Sequence, residues 1–278
     1  MEYISVGETK LPLVGLGTFS QHGEVLSESI TAFLDAGGKY FDTAFKYQNE
    51  AAIGQMLKCT NVENVVLQSK VCAKQLLGSK KWLWLDKESV QKAYKNSCKR
   101  LQKDSIDVFL LHSVMRDYER FYEQLMFLRD RKMVKVIGVC NFGIEQLEQL
   151  KVKVGEYPML LQAEIHPYYS QKELISFCNQ NNIVLEARSP FAHGDVIQEW
   201  NDNSILKQIA ECHNKTIEQI VLRWIVQQNV IAVPRSSNPV HIKENTEIFD
   251  FTLTNGQMNA IDGLNQNRSF GYVSTLNS

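Results

Sequence analysis

Short apolar segments alternate with amphipathic segments along most of this chain. The apolar segments are rich in Val, Ile and Leu, which is typical of strands that are buried on both faces of a parallel sheet. Eight of them predict strands, near residues 13–17, 39–42, 65–69, 106–111, 134–139, 159–164, 183–187 and 230–233.

The segments between these strands repeat apolar side chains at intervals of three and four residues, which is the spacing of one helix face. This spacing predicts helices over residues 87–102, 118–130 and 216–227, and Thr216 with Gln219 forms a capping box at the start of the third. Because a helical stretch follows each strand, the count of eight favours an α/β fold of the closed (β/α)8 TIM barrel type over an open doubly wound sheet.

The two ends of the chain differ from this alternation. Residues 3–6 and 10–13 around Gly7 predict a short N-terminal β-hairpin that covers the bottom of the barrel. The polar segment 265–278 is expected to form a loop over the top. We find no internal repeat and no linker rich in Pro, Gly or Ser, so we expect residues 1–278 to form a single barrel domain.

Composition excludes several classes of function. The chain has 278 residues and a formal net charge of -1, which gives no broad attraction to nucleic acid or to an acidic membrane. It has no signal-like N-terminus and no apolar run long enough to span a bilayer. Its six cysteines lack metal-type spacing and predict reduced thiols with no metal site. We therefore expect a cytoplasmic protein, a monomer or weak dimer, without nucleic-acid or membrane partners.

Titratable side chains stand at the ends of three consecutive strands. Asp42 ends the second strand and precedes Tyr47 by five residues, Lys70 ends the third, and His112 ends the fourth. Like ends of parallel strands are neighbours, so these groups are expected to converge where barrel enzymes place their active sites. A phenol with an ordinary pKa of about 10 needs positive charge nearby to transfer protons near neutrality. Taken singly, a lysine or histidine at a strand end is more often a surface or satisfied polar residue, and Asp42 alone is explained as a structural partner of a nearby amide.

A series of motifs resembles the aldo-keto reductase family over almost the whole chain. Their order and spacing together are far more specific than any one of them. The motifs are Val14-Gly15-Leu16-Gly17-Thr18, Asp42-Thr43-Ala44 with Tyr47 and Asn49-Glu50, Leu110-Leu111-His112, Ile137-Gly138-Val139-Cys140-Asn141-Phe142, Gln162-Ala163-Glu164-Ile165-His166-Pro167-Tyr168, Ser189-Pro190, and Pro234-Arg235-Ser236-Ser237-Asn238-Pro239 with Glu244-Asn245.

The resemblance implies a nicotinamide-dependent reductase that acts on a small-molecule carbonyl substrate. Tyr47 would protonate the carbonyl oxygen, and Lys70 would lower the pKa of Tyr47 by favouring the phenolate. Asp42 would fix and partly neutralise Lys70, while His112 would hydrogen-bond the carbonyl oxygen and orient the substrate. Glu50 opens a helix, which favours a capping or dipole role without chemistry.

The expected cofactor is NADP or NADPH, with NAD as the alternative. A Rossmann-type glycine motif is absent, but Asn238 and Pro239 after the eighth strand predict a helix start, which suits a phosphate. Without the resemblance, this segment is simply a well-capped helix. The resemblance assigns cofactor contacts to Asn141 and Gln162 at the carboxamide, to Arg188 and Ser189, to Arg235, Ser236, Asn238 and His241 at the 2′-phosphate, and to Glu244 and Asn245 at the adenine.

Departures from the family pattern bear on cofactor and substrate. Arg188 stands where many members have an aromatic ring stacked on the nicotinamide, and its charge opposes that of the oxidised ring. His241 replaces a frequent arginine, and neutral histidine is a weaker partner for an anion. Phe19 replaces a frequent tryptophan, so we expect a wider pocket lined by Phe19 and Trp82. These two side chains are equally consistent with covering apolar surface.

Three functional classes remain open from the sequence. The first is an NADPH-dependent aldehyde or ketone reductase. The second is a cofactor-binding sensor or scaffold subunit with little turnover, in which Arg188 and His241 mark drift from catalysis, although a binder has no need of all four titratable groups. The third is an unrelated barrel isomerase or lyase in which Lys70 forms a Schiff base. That chemistry requires a lysine without a carboxylate partner.

Overall fold

The computed structural model of the chain describes residues 2–60, 62–72 and 89–271. Two antiparallel strands, β1 (Tyr3–Val6) and β2 (Thr9–Pro12), precede eight parallel strands that pair in chain order. The eight are β3 (Leu16–Gly17), β4 (Tyr40–Asp42), β5 (Val66–Val71), β6 (Val108–Leu111), β7 (Val136–Cys140), β8 (Leu160–Glu164), β9 (Val184–Arg188) and β10 (Val230–Val233).

The sheet closes on itself between its first and last members. Val14 pairs in parallel with Ala232, and the Ala232 backbone exchanges hydrogen bonds of 2.9 Å with Leu13 and Gly15. The predicted (β/α)8 barrel is therefore confirmed. Regular strand structure covers only Leu16–Gly17 of the predicted 13–17 segment, because this segment pairs first with β10 and then, from Leu16 onward, with β4.

Helices lie between the strands and cover the barrel. The third predicted helix, α9 (Ile217–Val226), begins at a capping box, in which Thr216 Oγ1 accepts from Gln219 N at 3.2 Å and Gln219 Oε1 accepts from Thr216 N at 3.0 Å. The helices are α1 (Gly23–Asp35), α2 (Glu50–Thr60), α3 (Ser89–Leu101), α4 (Tyr118–Asp130), α5 (Ile144–Val154), α6 (Lys172–Gln180), α7 (Ile197–Asp202), α8 (Ser204–His213), α9 (Ile217–Val226), α10 (Pro239–Glu244) and α11 (Asn255–Asp262).

The N-terminal hairpin covers the bottom of the barrel, as the sequence predicts. Val6 and Leu11 are buried, and the turn at Gly7 lies against Met159, which immediately precedes β8. The tail crosses the opposite face, where Gln266 N and Arg268 N both donate to Tyr168 O at 3.1 Å. The predicted top loop is thus observed as far as residue 271, and the functional face of the barrel is the one that this tail crosses.

Two expectations from composition can be compared with the fold. All six cysteines are free thiols, as predicted. Within the described ranges, no helix combines the length and apolarity needed to cross a bilayer.

Close approach of β7 to β8 makes Gly138 sensitive to substitution. A Cβ added at Gly138 would lie 2.0 Å from Leu160 O, a backbone atom that cannot move without disturbing β8. We expect Gly138→Ala to lower the free energy of unfolding by about 3 kcal/mol or more, the upper end of the cost of overpacking. Urea denaturation measures this change.

A matched control for this substitution is Gly256→Ala near the start of α11. The added Cβ there meets nothing closer than Thr254 Oγ1 at 3.8 Å, so its stability should stay within about 0.5 kcal/mol of wild type. Equal midpoints for the two variants would show that the β7–β8 approach is not the constraint described.

Candidate active site

A fully buried ion pair lies at the ends of β4 and β5. Lys70 Nζ donates to Asp42 Oδ1 and, at 3.1 Å, to the Thr43 carbonyl oxygen. A buried ammonium without a partner would lose its charge. Burial alone lowers the pKa of Lys70, but the Asp42 carboxylate more than offsets this and raises it above its ordinary value. Lys70 therefore carries a positive charge at neutral pH.

Tyr47 is brought to this lysine by a short 3₁₀ turn, Phe45–Tyr47, that ends at Gln48 in the left-handed region with φ of 57°. Asn49 fixes the turn from beneath. Its Nδ2 donates to Thr18 O at 2.8 Å, and its Oδ1 accepts from Thr43 Oγ1 at 2.6 Å. As a result, Lys70 Nζ lies 3.3 Å from the Tyr47 hydroxyl oxygen and donates to it.

The acidity of Tyr47 reflects opposing influences. Burial raises its pKa most, Lys70 lowers it, and Asp42 raises it again, with a net pKa of about 12. Lys70 lowers the pKa of Tyr47, as predicted, but desolvation of the phenolate outweighs this effect and leaves the net pKa above the ordinary value. Tyr47 is a protonated phenol at neutral pH and can donate a proton.

His112 stands beside this phenol at the end of β6. The centroids of the Tyr47 and His112 rings are 5.6 Å apart in an edge-to-face arrangement. Burial, with the positive charge of Lys70, lowers the pKa of His112 to about 3, so the imidazole is neutral at pH 7. Its Nδ1 is buried and has no hydrogen-bond partner among the described residues. A neutral imidazole and a phenol can both donate hydrogen bonds to one oxygen atom.

Phe19 forms the rim of this group. Its ring centroid lies 5.1 Å from that of Tyr47, and 45% of the residue is exposed. Trp82, the other expected pocket residue, lies outside the described residues. The phenol, the neutral imidazole and the ammonium behind them can together hold an oxygen atom that gains negative charge and supply it with a proton.

Arg188 takes a position that the sequence did not indicate. Its Nε donates to Asn141 Oδ1 at 2.8 Å, and its Nη2 donates to Glu164 Oε2 at 3.3 Å and to Gly271 O at 3.2 Å. The guanidinium thus links the ends of β7, β8 and β9 to the tail. Ser189, the next residue, has a left-handed backbone with φ of 49°.

Gln162 faces the interior of the barrel and is buried. Its Nε2 donates to Glu186 Oε1, and its Oε1 accepts from Cys140 Sγ at 3.6 Å. Asn141, which directly follows β7, donates through its backbone N to Gln162 O at 2.9 Å. Of these two expected cofactor residues, only Asn141 lies at the carboxyl ends of the strands, where its side-chain oxygen accepts from Arg188 Nε.

The expected phosphate segment follows β10 on the same face of the barrel. Asn238 Oδ1 accepts from Val240 N at 3.0 Å and caps α10, as predicted. Gln21 Nε2 holds the segment by donating to Ser236 O at 2.7 Å. The side chains that face solvent around this helix start include Arg235 and His241. In the second turn of α10, Glu244 is half-buried and Asn245 just beyond it is buried.

Two carboxylates have roles that sequence reasoning missed. Glu50 lies in the first turn of α2, where its charge suits the helix dipole, and it also accepts from Ser69 Oγ at 2.6 Å and from Arg100 Nε at 2.7 Å, so it joins β5 to α3. Glu164 holds the tail, accepting from Phe270 N at 2.7 Å. In the sequence, Glu164 is visible only as a carboxylate at the end of an apolar strand. Pairing of β8 with β9 then places it next to Arg188.

Loss of the Glu164 charge is expected to loosen the tail. Burial opposes its charge, but hydrogen bonds from His166, Phe270 and Ser269 and the charge of Arg188 lower its pKa to about 2. We expect Glu164→Gln to lower the free energy of unfolding by about 2 kcal/mol at pH 7. A lowered pKa stabilises the fold above the ordinary value of 4.5, so the deficit should shrink as the pH falls toward 2.

A second carboxylate that pairs with the same tail is the control. Glu199 pairs with Arg268 at 3.0 Å but is 43% exposed, so Glu199→Gln should cost less than about 1 kcal/mol at any pH. Urea denaturation at several pH values measures both variants. A pH-independent loss in Glu164→Gln would contradict the assignment.

Comparison with known proteins agrees with this geometry. The family model described as "Aldo/keto reductase family" matches residues 14–266. Glyoxal reductase of Bacillus subtilis is 36% identical over 269 residues, which cover 94% of this chain and 92% of that protein. Methylglyoxal reductase DkgA of Escherichia coli O157:H7 is 31% identical over 267 residues, with 94% and 92% covered.

A solved structure gives the same result for the fold. The Bombyx mori aldo-keto reductase in complex with NADP superposes with a TM-score of 0.88 at 25% identity, covering 98% of this chain and 95% of that one. The match of fold and sequence extends over the barrel strands that carry Asp42, Lys70 and His112. The chain therefore belongs to the aldo/keto reductase family, whose members are oxidoreductases acting on carbonyl groups.

Proposed function

We propose that this protein is an NADPH-dependent reductase of aldehydes or ketones in which Tyr47 donates the proton. The observation that carries the proposal is the 3.3 Å contact between the Tyr47 hydroxyl and the Lys70 ammonium, which Asp42 holds in place. An isolated phenol is too weak an acid for fast proton donation near neutrality. A fixed cation behind it stabilises the phenolate that remains after the proton has left.

The residues that follow β10 suit the phosphate end of a nicotinamide cofactor. Arg235 and His241 surround a capped helix start, and an exposed guanidinium suits a phosphate monoester. The Bombyx mori relative was crystallised with NADP, which supports the same cofactor here. When bound in its reduced form, the cofactor would supply the hydride.

Side chains of the protein would bind and protonate the carbonyl oxygen of the substrate. Tyr47 would donate its proton to the oxygen, and His112, which is neutral, would donate a second hydrogen bond and orient the carbonyl. Lys70 would stabilise the phenolate left on Tyr47. Asp42 would keep Lys70 charged and in place throughout.

The relatives' names support small carbonyl compounds as substrates. They include a glyoxal reductase and a methylglyoxal reductase. The rim formed by Phe19, which is 45% exposed, is consistent with an open entrance to the site. We therefore propose small aldehydes and dicarbonyl compounds as the first substrates to assay.

A Schiff-base mechanism at Lys70 is disfavoured. A nucleophilic amine must lose its proton, whereas the Asp42 carboxylate, in spite of burial, raises the pKa of Lys70. A sensor or scaffold role makes a different prediction from catalysis, namely cofactor binding without turnover, and the following experiment separates the two.

Removal of the Tyr47 hydroxyl is expected to abolish most turnover without abolishing cofactor binding. For Tyr47→Phe we expect kcat for a small aldehyde to fall about 100-fold to 10,000-fold, the range for loss of a general acid. NADPH titration followed by fluorescence should show a dissociation constant close to that of wild type. Tyr3→Phe, at a phenol that is 54% exposed on the hairpin, is the control and should leave kcat unchanged.

Each contrary result has a distinct meaning. Activity that survives in Tyr47→Phe would refute the assigned proton donor. Binding of NADPH by the wild type without turnover of any carbonyl compound would favour the sensor or scaffold role. Failure to bind either NADPH or NADH would refute the reductase proposal itself.

His241 is expected to set the preference between NADPH and NADH. Replacing this exposed residue with arginine adds a permanent positive charge beside the proposed phosphate position. We expect His241→Arg to strengthen binding of NADPH relative to NADH about tenfold, or about 1.4 kcal/mol, as measured by fluorescence titration. Lys243→Arg on the same helix keeps the charge and should change neither constant. An equal gain for both cofactors in His241→Arg would place the 2′-phosphate elsewhere.

A further inference from the structure

A cluster of polar side chains extends from the Lys70–Asp42 pair into the barrel interior. Strand register makes Gln68 the neighbour of Asp42 and makes Gln162 the neighbour of Glu186. Tyr40, on β4, completes the group from across the barrel. All five residues are at most 4% exposed, although a barrel interior is ordinarily filled by apolar side chains.

The Gln68 amide joins two carboxyl groups. Its Nε2 lies 2.6 Å from Asp42 Oδ1 and 2.5 Å from Glu186 Oε1, so each of its two hydrogens reaches one carboxyl group. The opposite orientation of the amide would place its oxygen against the Asp42 carboxylate and is disfavoured. Glu186 Oε1 also accepts from Gln162 Nε2.

The number of protons shared by Tyr40, Gln68 and Glu186 decides whether Glu186 is ionised. The Tyr40 hydroxyl lies 2.5 Å from Glu186 Oε2 and 2.8 Å from Gln68 Oε1, yet it has only one proton to donate. If Glu186 were ionised, one of these two acceptors would face the Tyr40 oxygen with no hydrogen between them. If Glu186 carries a proton on Oε2, it donates to Tyr40, Tyr40 donates to Gln68 Oε1, and every contact is satisfied.

We propose that Glu186 is a neutral carboxylic acid in a closed hydrogen-bonded ring with Tyr40 and Gln68, and that this ring positions the Asp42 carboxylate against Lys70. Gln68 is the link, because the same amide that completes the ring donates to Asp42. Glu186 is therefore a positioning residue that acts on Tyr47 through Asp42 and Lys70.

The charges that face Glu186 favour this state. Burial and the negative charge of Asp42 raise its pKa from 4.5 to about 7, against the hydrogen bonds from Tyr40 and Gln68 and the charge of Lys70. Burial also raises the pKa of Tyr40 and that of the Cys140 thiol, so both stay protonated. The titratable or charged groups on the surrounding strands are Tyr40 and Asp42 on β4, Lys70 on β5, Cys140 on β7, Glu164 on β8 and Arg188 on β9.

Ionisation of Glu186 would change the acidity of Tyr47, and this step rests on the proposed function of Tyr47 as proton donor. A second buried negative charge near Lys70 would partly cancel its effect on the phenolate and make Tyr47 a weaker acid. It would also break the ring and release Gln68 from its fixed orientation. Proton donation by Tyr47 should therefore weaken as the pH rises through the pKa of Glu186.

The first test is independent of activity and uses Glu186→Gln. The introduced amide can donate to Tyr40 and accept from Gln68, so it imitates the neutral acid. A pKa raised in the folded state gives stability that is present below the ordinary value of 4.5 and is lost as the pH rises through about 7. We expect the Tm of the variant to exceed that of wild type by an amount that grows between pH 5 and pH 8.

Infrared spectroscopy tests the proton directly. A protonated carboxyl group has a carbonyl stretch that is separate from the bands of carboxylates. We expect the wild type at pH 6 to show such a band, which is absent in Glu186→Gln and disappears from the wild type at pH 9. Glu8→Gln removes an exposed carboxylate from the hairpin turn and should leave both the band and the Tm difference unchanged.

The positioning role is tested by single-turnover reduction of a small aldehyde across the same pH range. We expect the rate for Glu186→Gln to match wild type at pH 6 and to exceed it several-fold at pH 9, since coupling of one pKa unit is worth a factor of about 10. Tyr40→Phe interrupts the ring without changing charge. It should slow proton donation at pH 6, while Glu8→Gln follows wild type throughout.

The outcomes separate the parts of the proposal. A Tm difference that is constant with pH, or the absence of a Glu186-dependent infrared band at pH 6, would overturn the neutral ring. A band that is present together with parallel pH–rate profiles would overturn the positioning role. Absence of turnover in every protein would refute the proposed function and the positioning role with it, while the Tm and infrared results would still decide the ring.

Discussion

The buried ion pair between Lys70 and Asp42 is the constraint on which the rest of the site depends. Removing two charges from water costs several kcal/mol per ion, and breaking such a pair by deleting one partner costs about 3–5 kcal/mol. The barrel accepts this cost because it surrounds the pair with further donors and acceptors, including the Thr43 carbonyl and the Gln68 amide. The pair therefore keeps its charge only where the strand ends hold these groups in register.

Two layers of polar groups follow from that pair. Above it, Lys70 faces the phenol of Tyr47, whose pKa of about 12 leaves it protonated and ready to donate. Below it, Gln68 connects Asp42 to Glu186 inside the barrel. A second ionised carboxylate in that interior would compete with Asp42 for the single ammonium. With Glu186 protonated, as we propose, each hydrogen between Glu186, Tyr40 and Gln68 faces an acceptor, and Asp42 is left as the carboxylate that pairs with Lys70.

The sequence predicted what depends on backbone pattern. Strand and helix periodicity gave the barrel, and the ends of parallel strands brought Asp42, Lys70 and His112 together. Pattern could not predict interactions that depend on side chains meeting across the barrel. Gln68 and Glu186 stand more than a hundred residues apart, and a single polar residue within an apolar run gives no signal of its partner. The net pKa of Tyr47 lay beyond the sequence for a related reason, since it is a sum of opposing effects whose sizes depend on burial.

Arg188 connects the carboxyl ends of the strands to the tail. Its guanidinium joins Asn141 to Gly271, and Glu164 both pairs with it and accepts from the tail backbone. A ligand that hydrogen-bonds to Asn141 Oδ1 must share or displace the Arg188 Nε donor. Displacement would remove one partner of Glu164, whose low pKa depends partly on that charge. Binding of a ligand at Asn141 and the hydrogen bonds of Glu164 to the tail are therefore linked through the Arg188 side chain. An uncharged aromatic ring at position 188 would make none of these bonds.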